Sequence, residues 1–300
     1  MQKIEQYPLK KEEVLIESLP YIQQLQGKTM LIKVGGHAMV DPIMMENMIR
    51  DLVLLRYVGL NVIIVHGGGP EITRKMELMG HKPIFVGGLR VTNDETLEVA
   101  RMVLVGNVNT KLISLIGKYG GKGVGLSGKD GRLIMARKLP LQRVIVDGME
   151  TDIDIGWVGE PESINPEILD IVMKNGYIPV ISPISMDVNC NTMNLNADTV
   201  AAEVAAAVSA KKMVLLTDVA GILRNPDDET SCISKIGISE IPKLIDDGIV
   251  TGGMIPKVKS AIVAIEKGVE SVHIIDGSKP HTLILELLTD AGIGTMIYRD

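Results

Sequence analysis

Three hundred residues suffice for one large or two modest domains, and 46% hydrophobic against 23% charged residues fits a globular chain with a substantial core. A formal net charge of −6 argues against a nucleic-acid binder held by phosphate neutralisation. The two cysteines, Cys190 and Cys232, lack metal-ligand spacing and read as reduced thiols of a cytoplasmic protein. No apolar run approaches the ~18 residues of a membrane span, and MQKIEQYPLKKEE has no signal-peptide core, so neither a membrane nor a nucleic acid is expected as partner.

In chain order, KEEVLIESLPYIQQL (11–25) has amphipathic helical spacing, with a bend or interruption expected at Pro20. A strand over 29–34 ends in Gly35-Gly36, and a helix follows over 43–58. The β-branched run 61–65 ends in His66-Gly67-Gly68-Gly69, with a helix from Pro70. One helix is expected over 94–119, then strand pieces at 123–126, 133–136 and 143–146. The stretch from about 120 to 160 suggests a β-hairpin insertion. Further on come a helix near 166–174, a strand at 177–181, an Ala-rich helix at 197–209, strands at 212–217 and 271–275, and helices at 253–267 and 281–288. Strands alternating with helices predict a three-layer α/β/α sandwich around a mostly parallel sheet.

Residues 123–128, Gly-Val-Gly-Leu-Ser-Gly, form a nominal dinucleotide fingerprint. No helix follows them, so that reading is set aside. Read as a P-loop, the same segment puts Asp130 where a magnesium-binding hydroxyl is required. Gly35-Gly36 and Gly67-Gly68-Gly69 are better anion loops. They end consecutive strands, where backbone N–H groups approach a ligand closely and following helix N-termini add positive potential. Lys33 at the end of the first strand aims at the same crevice. Arg90, in GGLRVT, suits a bidentate carboxylate grip. Asn196 and Asp198 serve equally well as helix caps or as site groups. Thr217-Asp218 ends another strand, and Gly252-Gly253 opens a helix carrying Lys257.

The ordered set KVGGH (33–37), VHGGGP (65–70), GLRVT (88–92), NLNAD (194–198), LTDVAG (216–221) and GGMIPK (252–257) resembles the acetylglutamate kinases of the amino-acid kinase family. The likeness runs from residue 27 onward. It implies an N-terminal helical extension (1–26) and a kinase domain (27–300). An N-lobe to about 208 would bind the acceptor, and a C-lobe from about 209 would bind ATP. The activity implied is ATP-dependent phosphorylation of the side-chain carboxylate of N-acetyl-L-glutamate, a step of arginine biosynthesis. Lys33 and Lys257 would flank the transferring phosphoryl group, with Asp198 orienting them. Gly68, Gly69, Arg90 and Asn194 would hold the acceptor. Gly35, Gly36, Thr217, Asp218, Gly221, Gly252 and Gly253 would lie at ATP. Mg²⁺ would come with the nucleotide, with no ligand directly from the protein.

A carboxylate acceptor, with a pKa of ~4.3, is already ionised, so no general base is required and cations must carry the catalysis. The chain's ends resemble arginine-sensitive members. The resemblance implies a homo-oligomer, dimer or hexamer, with arginine as feedback inhibitor near His281, Glu286 and Gly294. In some relatives a nitrogen-status signalling protein also docks. Alternatives are another kinase of the family acting on glutamate, aspartate, carbamate or a nucleoside monophosphate, a non-catalytic arginine sensor, or a nucleotide-dependent dehydrogenase.

Overall fold

The computed structural model describes residues 11–146, 149–290 and 292–300; the first ten residues of the expected extension, and most of the segment tested for a signal peptide, lie outside them. The chain opens with α1 (Lys11–Glu17) and α2 (Leu19–Leu25). The helix is interrupted as expected, but at Ser18, two residues before Pro20. Proline has no N–H to give an interior turn and sits instead in the first turn of α2.

The order continues β1 (Thr29–Val34), α3 (His37–Val40), α4 (Pro42–Tyr57), β2 (Asn61–His66), α5 (Gly69–Leu78) and the two-residue strands β3 (Phe85–Val86) and β4 (Leu89–Arg90). The single helix expected over 94–119 is three segments: α6 (Asp94–Arg101), a π-helical stretch (Met102–Asn109) and α7 (Thr110–Lys118). By length and composition the helix over 94–118 is long and apolar enough to cross a membrane. Its apolar residues Val99, Val103, Leu104, Val108, Leu112 and Ile116 are instead buried in the protein core.

Next come β5 (Gly123–Ser127), β6 (Ile134–Lys138), β7 (Gln142–Val146), β8 (Met149–Ile153), β9 (Val158–Ile164) and α8 (Glu167–Lys174). β7 and β8 form the antiparallel hairpin expected in this region. After β10 (Ile178–Ser182), strands β11 (Ile184–Met186) and β12 (Thr192–Leu195) join β6 and β9 in a small closed unit that the sequence did not reveal. The remainder is α9 (Ala197–Ala207), β13 (Lys212–Thr217), β14 (Lys235–Gly237), α10 (Ile241–Asp246), α11 (Met254–Glu266), β15 (Ser271–Asp276), α12 (Thr282–Leu288) and β16 (Thr295–Tyr298).

The main sheet has the order β14-β16-β15-β13-β1-β2-β10-β5. It is parallel except that β16 runs against β15, carrying β14 with it. β1 lies centrally, aligned from Thr29 beside Asn61 to Val34 beside His66, and from Met30 beside Lys212 to Lys33 beside Leu215. It is apolar on both faces, as a strand covered by helices on each side must be. Met30, Ile32 and Val34 pack into one core with α4 and α12 residues. Leu31 packs into the other, beneath Val200, Ala201 and Val204 of α9 and Val258 and Ala261 of α11. By strand alternation Lys33 follows Leu31 toward α9 and α11, and His66 follows Val62 and Ile64 to the opposite face.

Candidate active site

The carboxyl ends of β1, β2 and β13 open on one edge of the sheet, where parallel α/β folds bind ligands. Asn196 starts α9 there by accepting hydrogen bonds from the N–H groups of Asp198 (2.8 Å) and Thr199 (3.1 Å). Asn196 is therefore the cap, which leaves the Asp198 carboxylate free to turn to the sheet. Lys33 Nζ forms an ion pair with Asp198 Oδ1 at 2.8 Å, and Lys257 Nζ donates to Oδ2 at 3.1 Å. Asp198 is 6% and Lys33 8% exposed. Burial alone pushes the Asp198 carboxyl up, but the two ammonium groups outweigh it and hold it below the usual carboxylate range. Burial pulls the Lys33 ammonium below its ordinary pKa, with Asp198 opposing.

The glycines of the first loop make room. A Cβ at Gly35 would stand 2.7 Å from Lys33 Nζ. Gly36 has φ +61° and lies against Asp218, where a Cβ would meet Oδ1 at 2.0 Å. Two residues expected at ATP from separate motifs thus meet. The expected helix potential here is missing. α3 has only four residues, and the first N–H groups of α4, those of Ile43 and Met44, are taken by the Asp41 carboxylate.

Thr217 ends β13 nearby, 8% exposed. Gly252 and Gly253 precede α11 with open space around their Cβ positions, and Gly252 needs its glycine for φ +50°. Gly221 packs tightly, a Cβ there falling 2.6 Å from Thr295 Oγ1.

Beyond the lysines lies a pocket of about 200 Å³ lined by Gly67, Gly68, Gly69, Arg90, Leu104 and Asn194, among others. Gly68 caps α5, and a Cβ there would meet Leu104 Cδ2 at 2.5 Å. α5 runs ten residues, so a helix N-terminus does face this pocket. Arg90 is 9% exposed. Its Nη2 donates to Gly69 O (3.0 Å) and Thr73 Oγ1 (2.7 Å), and the guanidinium lies over the Phe85 ring at 4.6 Å. Burial lowers the Arg90 pKa, but a guanidinium stays charged at neutral pH. Asn194 reaches toward Thr92 Oγ1 at 3.5 Å.

Thr73, Phe85 and Leu104 were not legible as site residues. Phe85 carried one faint signal, being the single Phe of the chain. Among the residues expected at an arginine site, Glu286 binds His273 Nδ1 through Oε1 at 2.6 Å and accepts from the N–H groups of Ile293 and Gly294 through Oε2. His281 stands apart, its Nδ1 2.7 Å from Asp51 Oδ1 on α4, so the three do not form one cluster.

A mostly parallel sheet, two cations joined by one carboxylate at its carboxyl edge and a small adjoining pocket with a buried Arg define a phosphotransferase of small anionic molecules. The chain belongs to the amino acid kinase family, whose model matches residues 28–276. It is 60% identical to the acetylglutamate kinase of Methanococcoides burtonii, over 97% of this chain and 96% of the relative. The acetylglutamate kinase of Archaeoglobus fulgidus is 55% identical, over 95% and 98%. Among solved structures, N-acetylglutamate synthase from Neisseria gonorrhoeae, complexed with coenzyme A and N-acetyl-glutamate, superposes with a TM-score of 0.82 at 26% identity. That match covers 97% of this chain, which spans 64% of the synthase chain. Giardia carbamate kinase shares the fold at a TM-score of 0.63 and 16% identity, over 91% of this chain and 99% of its own.

Proposed function

We propose that this chain transfers the γ-phosphoryl group of ATP to the side-chain carboxylate of N-acetyl-L-glutamate, in arginine biosynthesis. The observation that carries it is Asp198 joining Lys33 and Lys257 beside a pocket with a preset Arg90. Acetylglutamate kinases at 55% identity or more, that of Methanococcoides burtonii among them, support the choice of acceptor.

The acceptor carboxylate attacks the γ-phosphorus while the bond to the β–γ bridging oxygen breaks, and ADP departs with that electron pair. No proton needs removal, because a carboxylate of pKa ~4.3 enters ionised. The obstacle is bringing an anion onto a polyanion. Lys33 and Lys257 offset that charge, and Asp198 fixes them beforehand so that little reorganisation remains for the transition state. The N–H groups of Gly35 and Gly36 face the ATP phosphates, with Thr217, Asp218, Gly221, Gly252 and Gly253 on the nucleotide side. Gly68 and Gly69 N–H groups hold the acceptor, Arg90 grips its α-carboxylate and Asn194 its main-chain end. Bound Mg²⁺ would supply further neutralisation of the phosphates.

The test is acyl phosphate formation, trapped as the hydroxamate, with N-acetylglutamate and glutamate compared. ATP-dependent product from N-acetylglutamate alone is expected. Equal rates with glutamate, or no product from either, overturn the proposal.

The remaining parts of the proposal are a cytoplasmic homo-oligomer, dimer or hexamer, divided into acceptor and nucleotide lobes near residue 208, with arginine as inhibitor. A nitrogen-status signalling protein is its candidate regulatory partner. The contact of α2 with α12, and the hydrogen bond from the Tyr21 hydroxyl to Asp290, support communication between the two ends of the chain. His281, Glu286 and Gly294 are the residues this reading assigns to arginine, with His281 held by Asp51 and Glu286 by His273. Turnover with and without saturating arginine, together with mass by light scattering with and without a signalling protein, tests these parts.

A further inference from the structure

His66, the last residue of β2, is fully buried, and no step above uses it. Its Nδ1 lies 2.8 Å from the Gly67 carbonyl oxygen. Its Nε2 lies 3.2 Å from Asn109 Nδ2, which also donates to Val180 O at 2.8 Å. The Asn109 amide nitrogen can only donate, so Nε2 accepts and the single proton of the neutral ring sits on Nδ1, donated to Gly67. In a trans peptide the C=O and N–H point in opposite directions. Holding the Gly67 oxygen on the imidazole therefore turns the Gly68 N–H away from the ring, toward the pocket that Gly68 lines.

We infer that His66 and Asn109 are positioning residues that fix the Gly67–Gly68 peptide with its N–H facing the acceptor anion. The inference rests on the acceptor-pocket reading of the proposed function. Two oddities of the chain fall into place with it. The π-helical stretch ends at Asn109 and also carries Leu104, which packs under Gly68. Asn109 fits only because residue 125 is glycine, since a Cβ there would stand 2.1 Å from Asn109 Oδ1. The glycine run rejected as a phosphate loop thus includes the clearance for this amide.

Steady-state kinetics on the full chain test the inference, with N-acetylglutamate and ATP varied in turn and folding followed by thermal melts. His66→Leu removes both ring bonds and should raise the N-acetylglutamate KM about tenfold, with the ATP KM within about twofold. His66→Asn, which keeps a donor near the Nδ1 position, should recover to within about threefold of native. Asn109→Ala frees the ring to rotate and should give the same selective rise, about threefold, and it decides the matter should His66→Leu not fold. Parallel changes in both KM values, no rescue by His66→Asn, or native kinetics with only a lowered Tm overturn the inference. Arg90→Ala separates the two levels. A native acceptor KM there overturns the pocket reading and this inference together. A raised one, beside a native value in His66→Leu, overturns this inference alone.

Discussion

Replacing Asp198 with Asn keeps the shape and removes the charge that Lys33 and Lys257 share. Ammonium groups held on opposite oxygens of one carboxylate are on the order of 6 Å apart, and at an effective dielectric of about 20 they repel by ~3 kcal/mol. In the native chain the carboxylate, 2.8 Å from one and 3.1 Å from the other, more than offsets this. Asp198→Asn leaves two facing cations without the carboxylate that joins them, and Asp218 acts on Lys33 only as a lesser influence. One lysine must swing out, or Lys33, whose ammonium burial already disfavours, must lose its proton. Either way one of two transition-state cations is misplaced. The expected loss is ~3–4 kcal/mol, a fall in kcat of about 10²–10³. ADP release in a coupled assay measures it, with both KM values expected within about threefold and a melt confirming folding. A kcat within threefold of native would refute the reasoning, because preset lysines would then not matter.

Three further outcomes follow from the same geometry. Lys33→Ala and Lys257→Ala should each lower kcat by about 10³ in folded protein; near-native turnover in both contradicts the charge mechanism. Thr73→Val removes a 2.7 Å bond that holds Arg90 and should raise the N-acetylglutamate KM about three- to tenfold while leaving the ATP KM unchanged, measured by steady-state kinetics. Burial raises the Asp51 carboxyl to about 6, against the pull of its bond to His281. The folded state therefore holds that proton more tightly than the unfolded chain, and Asp51 costs stability progressively as pH rises from about 4 to 6, by up to ~3 kcal/mol. Asp51→Asn should raise Tm at pH 7.5 and lose about two thirds of that gain by pH 4.5, and an equal shift at both pH values contradicts the assignment.

The alternation of strands and helices was plain in the sequence because the central strands are apolar on both faces and β1 and β2 run into glycine loops. The strands of the small closed unit were not. β11 and β12 are three and four residues long, too short for period-two alternation to stand out, and they pair with β6 and β9 far away in the chain. The π-helical stretch escaped because its residues keep helical composition and change only their spacing. Lys33, Arg90 and Lys257 were legible from glycine context and strand ends. His66 and Asn109 were not, since one precedes a glycine run that draws the eye and the other lies mid-helix. What joins them is the stacking of a helix on a sheet, which no local pattern encodes.

The sheet also bears on how the protein is made. Met30 of β1 pairs with Lys212 of β13, so that flank of the central strand waits until most of the chain has been synthesised. β2 and β10 can assemble on the other flank meanwhile. Until β13 arrives, β1 presents an open apolar edge, the kind of template on which nascent chains misassociate. Lys33 stands on that waiting strand and Lys257 comes later still, on α11. The charged cluster is therefore among the last features to form, and a nascent chain released early carries the aggregation hazard with none of the catalytic constellation.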